Sequence, residues 1–86
     1  MPEICRFLGI IIVIYYNEHN PPHFHVKYNE HRATIDIREL RILEGNLPQR
    51  VLALVLEWSF LHRSEILADW ELAREGKPLQ KIDPLT

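Results

Sequence analysis

An unbroken apolar run from Ile10 to Tyr16 constrains the fold of this chain more than any other feature. A continuous run rich in β-branched side chains is typical of a strand that is covered on both faces, and this one is far too short to span a bilayer. We therefore expect helices on one face of the strand and a second copy of the chain on the other. Strand structure is expected from about Ile4, and Gly9 is a candidate β-bulge.

The segment after this run predicts a β-hairpin. Residues 17–22 are polar and end in Pro21-Pro22, which favours a loop that leads into the next strand. Residues 23–28 then alternate between polar and apolar side chains, and residues 33–37 alternate in the opposite phase. The intervening Asn29-Glu30 is predicted to form the turn.

The register of the hairpin follows from its apolar side chains. A turn centred on Asn29-Glu30 pairs residues whose numbers sum to 59, whereas a slip of one residue would move every side chain to the wrong face. The favoured register has four defining pairs: Val26 with Ala33, Phe24 with Ile35, His25 with Thr34, and His23 with Asp36. The two histidine pairs lie on the polar face.

The rest of the chain predicts a short strand and two helices. After a strand at 41–43, Asn46 and Gln49 fit an N-terminal capping box. The helix that follows carries an apolar stripe made of Val51, Leu54, Val55, Trp58 and Leu61. The stripe loses phase near Ser64, which is a candidate cap for a second helix. One long bent helix is the alternative.

The predicted fold class is α+β, with a small antiparallel sheet of three to four strands followed by two C-terminal helices packed on one face. The 86 residues allow a single domain over 1–86, with strands at about 4–44, helices at about 47–75 and an extended tail at 77–86. Apolar residues make up 47% of the chain, which is enough for a small core.

Charge and cysteine content narrow the class of protein. The net charge is -2, and residues 1–44 and 45–86 each carry 5 basic and 6 acidic side chains. This balance disfavours a broad basic surface for nucleic acid but allows a local basic patch. The single cysteine excludes an internal disulfide and favours a cytoplasmic location, and the first residues lack a secretory signal pattern. No membrane partner is expected.

Histidine is unevenly distributed, because His19, His23, His25 and His31 fall within thirteen residues. His23 and His25 are expected to point the same way, roughly 7 Å apart at Cα. Together with His19, or with Asp36, they satisfy the ligand count of an open zinc or iron site. No cofactor is expected, although a divalent metal fits this group. The alternative is a solvated polar face on which His23 and Asp36 form a cross-strand pair.

A metal-independent RNA-cleaving site is the sharpest enzyme hypothesis. Such cleavage needs a base, an acid and a cation for the developing charge. His23 and His25 supply the first two, Asp36 orients His23, and Lys27 or Arg50 supplies the cation. Arg50 is equally well explained as a surface arginine. The candidate binding residues are His19, Lys27 and Tyr28.

Several motifs together resemble those of a known family. They are the opening Met-Pro-Glu-Ile-Cys-Arg-Phe-Leu-Gly-Ile, the segment Tyr-Tyr-Asn-Glu-His-Asn-Pro-Pro-His-Phe-His at 15–25, Tyr28, Gly-Asn-Leu-Pro-Gln-Arg at 45–50, Glu57-Trp58, His62 and Trp70. The chain resembles the domain of unknown function 4160 family of small prokaryotic proteins over nearly its whole length. The resemblance implies that His19, His23 and His25 are central, that a second small protein is encoded nearby, and that both belong to a toxin–antitoxin module.

Two classes of function fit these observations. The first is a toxin-like ribonuclease of such a module, which acts on RNA through its histidines. The second is a non-catalytic partner-binding or regulatory protein of the same module, and a histidine-rich metal-binding protein is a further alternative. The expected partners are the neighbouring gene product and a second copy of the chain. The sequence leaves the choice between an enzyme and a binding protein open.

Overall fold

A five-stranded antiparallel sheet followed by two helices makes up the computed structural model, which describes residues 3–85. The strands lie side by side in chain order: β1 (Glu3–Phe7), β2 (Ile10–Val13), β3 (His23–Tyr28), β4 (His31–Asp36) and β5 (Ile42–Gly45). The helices are α1 (Gln49–Leu61) and α2 (Arg63–Arg74). The predicted fold class is confirmed, with one strand more than expected. Met1, Pro2 and Thr86, which the predicted domain and tail include, lie outside the described residues.

The extra strand comes from a hairpin that the apolar run conceals. Leu8 and Gly9 form the turn between β1 and β2, with φ of 52° and 79°. Two consecutive positive φ values match the twist of a tight antiparallel hairpin, and glycine adopts them without steric cost. The interpretation of Gly9 as a bulge is therefore wrong. The irregularity of this hairpin lies instead between Glu3 and Cys5.

The predicted register of the central hairpin is confirmed. β3 and β4 are joined by the two-residue turn Asn29-Glu30, where Asn29 takes the positive φ of 52°. All four predicted pairs are present: Val26 with Ala33, Phe24 with Ile35, His25 with Thr34, and His23 with Asp36. The alternation of β3 therefore assigns its side chains to opposite faces, the apolar ones toward the core.

The core lies between one face of the sheet and the helices. Phe24 and Val26 of β3 are fully buried there, and the Phe24 ring centroid lies 6.1 Å from that of Trp58 on α1. Trp70 of α2 is 1% exposed and belongs to the same cluster. The opposite face of β3 and β4, which we call the open face, carries His23, His25 and Lys27, and the ring of Trp70 on α2 reaches its edge at His23.

The second face of β2 is largely covered within one chain. Val13, which pairs with His25 on the open face, is completely buried, and Ile11 is half-buried. The apolar run therefore does not require a second copy of the chain to cover it, and that premise for a homodimer is corrected. The homodimer itself stays a prediction.

The helices are two, but their ends differ from the prediction. α1 begins at Gln49 with Pro48 at the N-cap position and no side-chain cap, so the predicted box of Asn46 and Gln49 is wrong. His62, with φ -118° and ψ 22°, separates α1 from α2, and Ser64 lies inside α2. Within the described range, no helix is long and apolar enough to cross a membrane.

The C-terminal tail crosses both layers of the fold. The Ile82 N–H donates to the Ile4 carbonyl on β1, and the Trp58 indole donates to the Asp83 carbonyl, each at 2.8 Å. These bonds fasten the tail to the sheet edge and to α1. Residues 75–85 contain no helix or strand.

Gly45 provides a test of the β4–β5 pairing. It has a φ of 82°, and a Cβ at this position would overlap the Arg32 carbonyl oxygen, whereas Gly76 has a φ of 71° and open space around it. We expect Gly76→Ala to lower the free energy of unfolding by about 1–2 kcal/mol, the cost of a left-handed backbone. Gly45→Ala should cost roughly twice as much, because the two strands must separate. Urea denaturation of both variants measures this difference, and equal losses would contradict it.

Candidate functional site

Glu18, His23 and His25 bring one ligand atom each to a common point, and we call these residues the carboxylate–imidazole cluster. The three atoms all lie within 4.8 Å of one another. His23 and His25 are two residues apart on β3, so both side chains leave the same side of the strand. Glu18 comes from the loop between β2 and β3, which turns at Asn17 with a φ of 64°.

The cluster is held by hydrogen bonds to a single carboxylate oxygen. Glu18 Oε1 lies 2.9 Å from His23 Nε2 and 2.5 Å from His25 Nε2. The other ring nitrogens also have partners. His23 Nδ1 lies 2.7 Å from the carbonyl oxygen of Pro21, and His25 Nδ1 lies 3.3 Å from Thr34 Oγ1.

These partners determine where the protons of His23 are. A carbonyl oxygen only accepts hydrogen bonds, so His23 Nδ1 must carry a proton to bond Pro21. If the ring is neutral, Nε2 carries no proton and can only accept a hydrogen bond. It faces Glu18 Oε1, and a carboxylate oxygen likewise only accepts hydrogen bonds. The arrangement is satisfied by an additional proton or by a cation that both atoms can coordinate.

Glu18 is suited to the anionic role in this cluster. Burial alone would raise the pKa of Glu18, but hydrogen bonds from His25 and His23 outweigh it and hold the pKa below its ordinary value. Glu18 is therefore a carboxylate at neutral pH. Its side chain is 29% exposed, which leaves the cluster reachable from solvent.

Aromatic rings enclose the cluster on two sides. The Trp70 ring centroid lies 5.0 Å from that of His23, whose side chain is 12% exposed. The Tyr15 ring centroid lies 4.8 Å from that of His25, whose side chain is 25% exposed. The cluster therefore has a covered side at His23 and an accessible side at His25.

A groove of about 440 Å³ opens on that accessible side. It runs over the open face of the sheet and is lined by Tyr15, His25, Val26, Lys27, Arg32, Ala33, Thr34, Glu44 and Gly45. Its volume lies in the range of small-ligand sites, about 300–1,000 Å³. The Lys27 Nζ lies 5.9 Å from the centroid of the Tyr15 ring, so an aromatic face and a cation share this groove.

The predicted carboxylate partner of His23 is not Asp36. Asp36 is opposite His23 in the register, but its Oδ1 accepts the backbone N–H groups of Arg38 and Glu39, each at 2.8 Å. β4 ends at Asp36, and an aspartate at such an end commonly caps the following turn. Asp36 is therefore opposite His23 in the strand register, but its carboxylate is not the partner of the His23 ring. That partner is Glu18.

The other candidate residues are divided between the two faces. Lys27 lines the groove. Tyr28 faces the helices and lines a separate pocket with Arg50, so Arg50 does not line the groove beside His25 as the predicted catalytic cation would. His19 is exposed and is not a member of the cluster. Neither His19 nor Asp36 therefore joins His23 and His25 as the predicted third member of the group, and Glu18 lies there instead.

Fold and site together define a small α+β protein with a solvent-reachable carboxylate–imidazole cluster on the open face of an antiparallel sheet. The chain belongs to the family described as Domain of unknown function (DUF4160), whose model matches residues 9–71 and thus contains the whole cluster. The resemblance inferred from the motifs is thereby confirmed. No curated protein and no solved structure matches the chain.

The hydrogen bonds of Asp36 to the backbone predict that this residue contributes to folding stability. Asp36→Ala removes a buried acceptor of two backbone N–H groups, so we expect the free energy of unfolding to fall by about 1–3 kcal/mol. Asp36→Asn keeps an acceptor oxygen and should lose less. Thermal and urea unfolding measure both effects. A fully stable Asp36→Ala variant would show that this cap contributes nothing to folding.

Proposed function

We propose that Glu18, His23 and His25 bind a divalent metal ion, and that the protein is a small metal-dependent hydrolase. The observation that carries the proposal is the hydrogen bond between His23 Nδ1 and the Pro21 carbonyl. It places a proton on Nδ1, so Nε2, which faces Glu18, is the ring nitrogen available to a metal ion. Metal-binding histidines commonly have this arrangement, with the distal ring N–H bound to a backbone carbonyl or a carboxylate.

The composition of the cluster supports a specific class of metal. Two imidazoles and one carboxylate are the protein ligands of several zinc hydrolases and of non-haem iron sites. Three protein ligands leave coordination positions for water and substrate. A divalent ion in such a site polarises a substrate oxygen and lowers the pKa of coordinated water toward 7.

The distances within the cluster are close to those of a ligand set. Metal–nitrogen and metal–oxygen bonds of about 2.0–2.1 Å place tetrahedral ligand atoms about 3.3 Å apart. Glu18 Oε1 lies 2.9 Å and 2.5 Å from the two Nε2 atoms. To hold the ion, Glu18 Oε1 would move away from both rings and the two ring nitrogens would take positions about 3.3 Å apart, within a set of atoms that now spans up to 4.8 Å.

The cluster is less suited to metal-free cleavage of RNA by His23 and His25. Such a mechanism needs one ring nitrogen of each histidine to face the substrate as base or acid. All four ring nitrogens have a protein partner: Pro21, Glu18 twice, and Thr34. With a metal ion, metal–ligand bonds would replace the contacts between Glu18 and the two rings, and Pro21 and Thr34 would orient the rings, so no ring nitrogen would have to face the substrate.

Zinc binding tests the proposal directly. We expect the metal-free protein to bind one Zn²⁺ in isothermal titration calorimetry at pH 7. Glu18→Gln and His25→Ala each remove a ligand, so affinity should fall at least about 100-fold, the upper range for loss of an orienting partner. His19→Ala serves as the matched control and should bind zinc normally, because His19 lies outside the cluster.

Two outcomes would reject the metal site. One is a wild-type protein that binds none of Zn²⁺, Fe²⁺ and Mn²⁺. The other is a folded Glu18→Gln variant, shown by an unchanged far-UV spectrum, with wild-type affinity. If His19→Ala lost binding and Glu18→Gln kept it, the ligand set with His19 would be correct.

On the family resemblance, we further propose that the protein is the toxin of a two-gene module and acts on RNA in the cytoplasm. Its expression should arrest growth of a bacterial host, the folded His25→Ala variant should not, and co-expression of the neighbouring gene product should restore growth. Growth curves with total RNA analysis measure this. Normal growth with the wild-type protein would reject the toxin role and favour a regulatory one, and arrest by His25→Ala would separate toxicity from the cluster.

A further inference from the structure

We infer that the groove beside the carboxylate–imidazole cluster binds the phosphate group of a nucleotide through Lys27 and Arg32. The inference rests on the proposed function, since it names the substrate class that the groove would present to the metal site. It depends on a different set of residues, which makes the two ideas separable by experiment.

The first observation is a pair of like charges. Lys27 on β3 and Arg32 on β4 are directly opposite each other in the register, and both line the groove. Like charges directly opposite on one face of a sheet are destabilising. An anion bound between them would relieve this repulsion.

The second observation is that, within residues 3–85, no carboxylate forms an ion pair with Lys27 or Arg32 at 4.0 Å or less. One guanidinium nitrogen of Arg32, Nη1, donates to the carbonyls of Asn29 and His31, at 2.9 Å and 2.8 Å. These bonds hold the side chain in place and leave its remaining N–H groups for a ligand. Glu44, the acidic residue of the groove, is opposite Thr34 and not opposite the pair.

The position of the pair favours a ligand that also reaches the cluster. Lys27 follows His25 by two residues on β3, which separates their Cα atoms by roughly 7 Å along the same face. His25 lines the same groove. A phosphate held by Lys27 and Arg32 would therefore lie in the same groove as the accessible side of the cluster.

The third observation favours a nucleotide over a simpler phosphate. The groove has about 440 Å³ and includes the ring of Tyr15, which packs on His25 and lies near Lys27. Aromatic side chains beside cations are the recurring way in which proteins hold a base and its phosphate together. Since the whole chain carries a net charge of -2, this local cationic pair is not part of a generally basic surface.

Binding of adenosine 5′-monophosphate tests the inference. Calorimetric titrations use the zinc-loaded and the metal-free full chain, with adenosine and inorganic phosphate as partial ligands. We expect Lys27→Gln and Arg32→Gln each to weaken nucleotide binding about tenfold or more, the effect of losing one charge-assisted contact. Arg38→Gln is the matched control, because Arg38 is an exposed cation after β4 and does not line the groove. Zinc affinity should be unchanged in all three variants.

The outcomes separate this inference from the metal site. Normal zinc binding with no nucleotide binding, or with equal losses in Lys27→Gln and Arg38→Gln, overturns the inference and leaves the metal site intact. Nucleotide binding that depends on Lys27 and Arg32 in a protein that binds none of Zn²⁺, Fe²⁺ and Mn²⁺ supports the groove and overturns the metal site. Adenosine that binds as tightly as its monophosphate also overturns the phosphate assignment. A short single-stranded oligoribonucleotide that binds more tightly than the monophosphate identifies the nucleotide source as a polymer.

Discussion

The burial of Phe24 and Val26 beneath the helices determines where every functional side chain of β3 points. Both residues are fully buried, and Phe24 packs edge to face on Trp58. Since side chains of a strand alternate between faces, this packing directs His23, His25 and Lys27 to the other side of the sheet. A shift of one residue would bury the histidines and expose the two apolar side chains. The energy of the core and the geometry of the site are thus determined by the same register.

That dependence explains how much of the structure the sequence predicts. The central hairpin, its two-residue turn and all four side-chain pairs follow from period-2 alternation, because only one register keeps both apolar pairs on one face. The β1–β2 hairpin was not predicted. β1 reads Glu-Ile-Cys-Arg-Phe and β2 is continuously apolar, so neither strand alternates cleanly and the pattern does not reveal the change of direction at Leu8 and Gly9. Leu61 was assigned to the core by spacing, yet it is 61% exposed, since α1 ends there.

The site shows the same division between strand and loop. The positions of His23 and His25 can be predicted from the alternation of β3. Glu18, the carboxylate beside them, lies in a loop, and hydrophobic periodicity does not predict the path of a loop. Asp36 matched the register but serves the backbone at the end of β4. Glu18 lies five residues before His23, within the Tyr-Tyr-Asn-Glu-His-Asn-Pro-Pro-His-Phe-His motif. This motif was the available signal for Glu18, because the short loop that contains it ends at Pro21-Pro22, directly before the start of β3 at His23.

The loop that carries Glu18 is also attached to the far end of the chain. The hydroxyl of Tyr16 donates to the carbonyl of Lys77, at 3.1 Å, just beyond α2. A ligand on a loop fixed at both its β3 end and its tail contact loses less conformational freedom when it captures an ion than one on a free segment. The contact with Lys77 therefore helps to hold the loop that carries Glu18 in place. Changes in the tail at Lys77 would therefore alter the path of the loop that carries Glu18 without touching Glu18, His23 or His25.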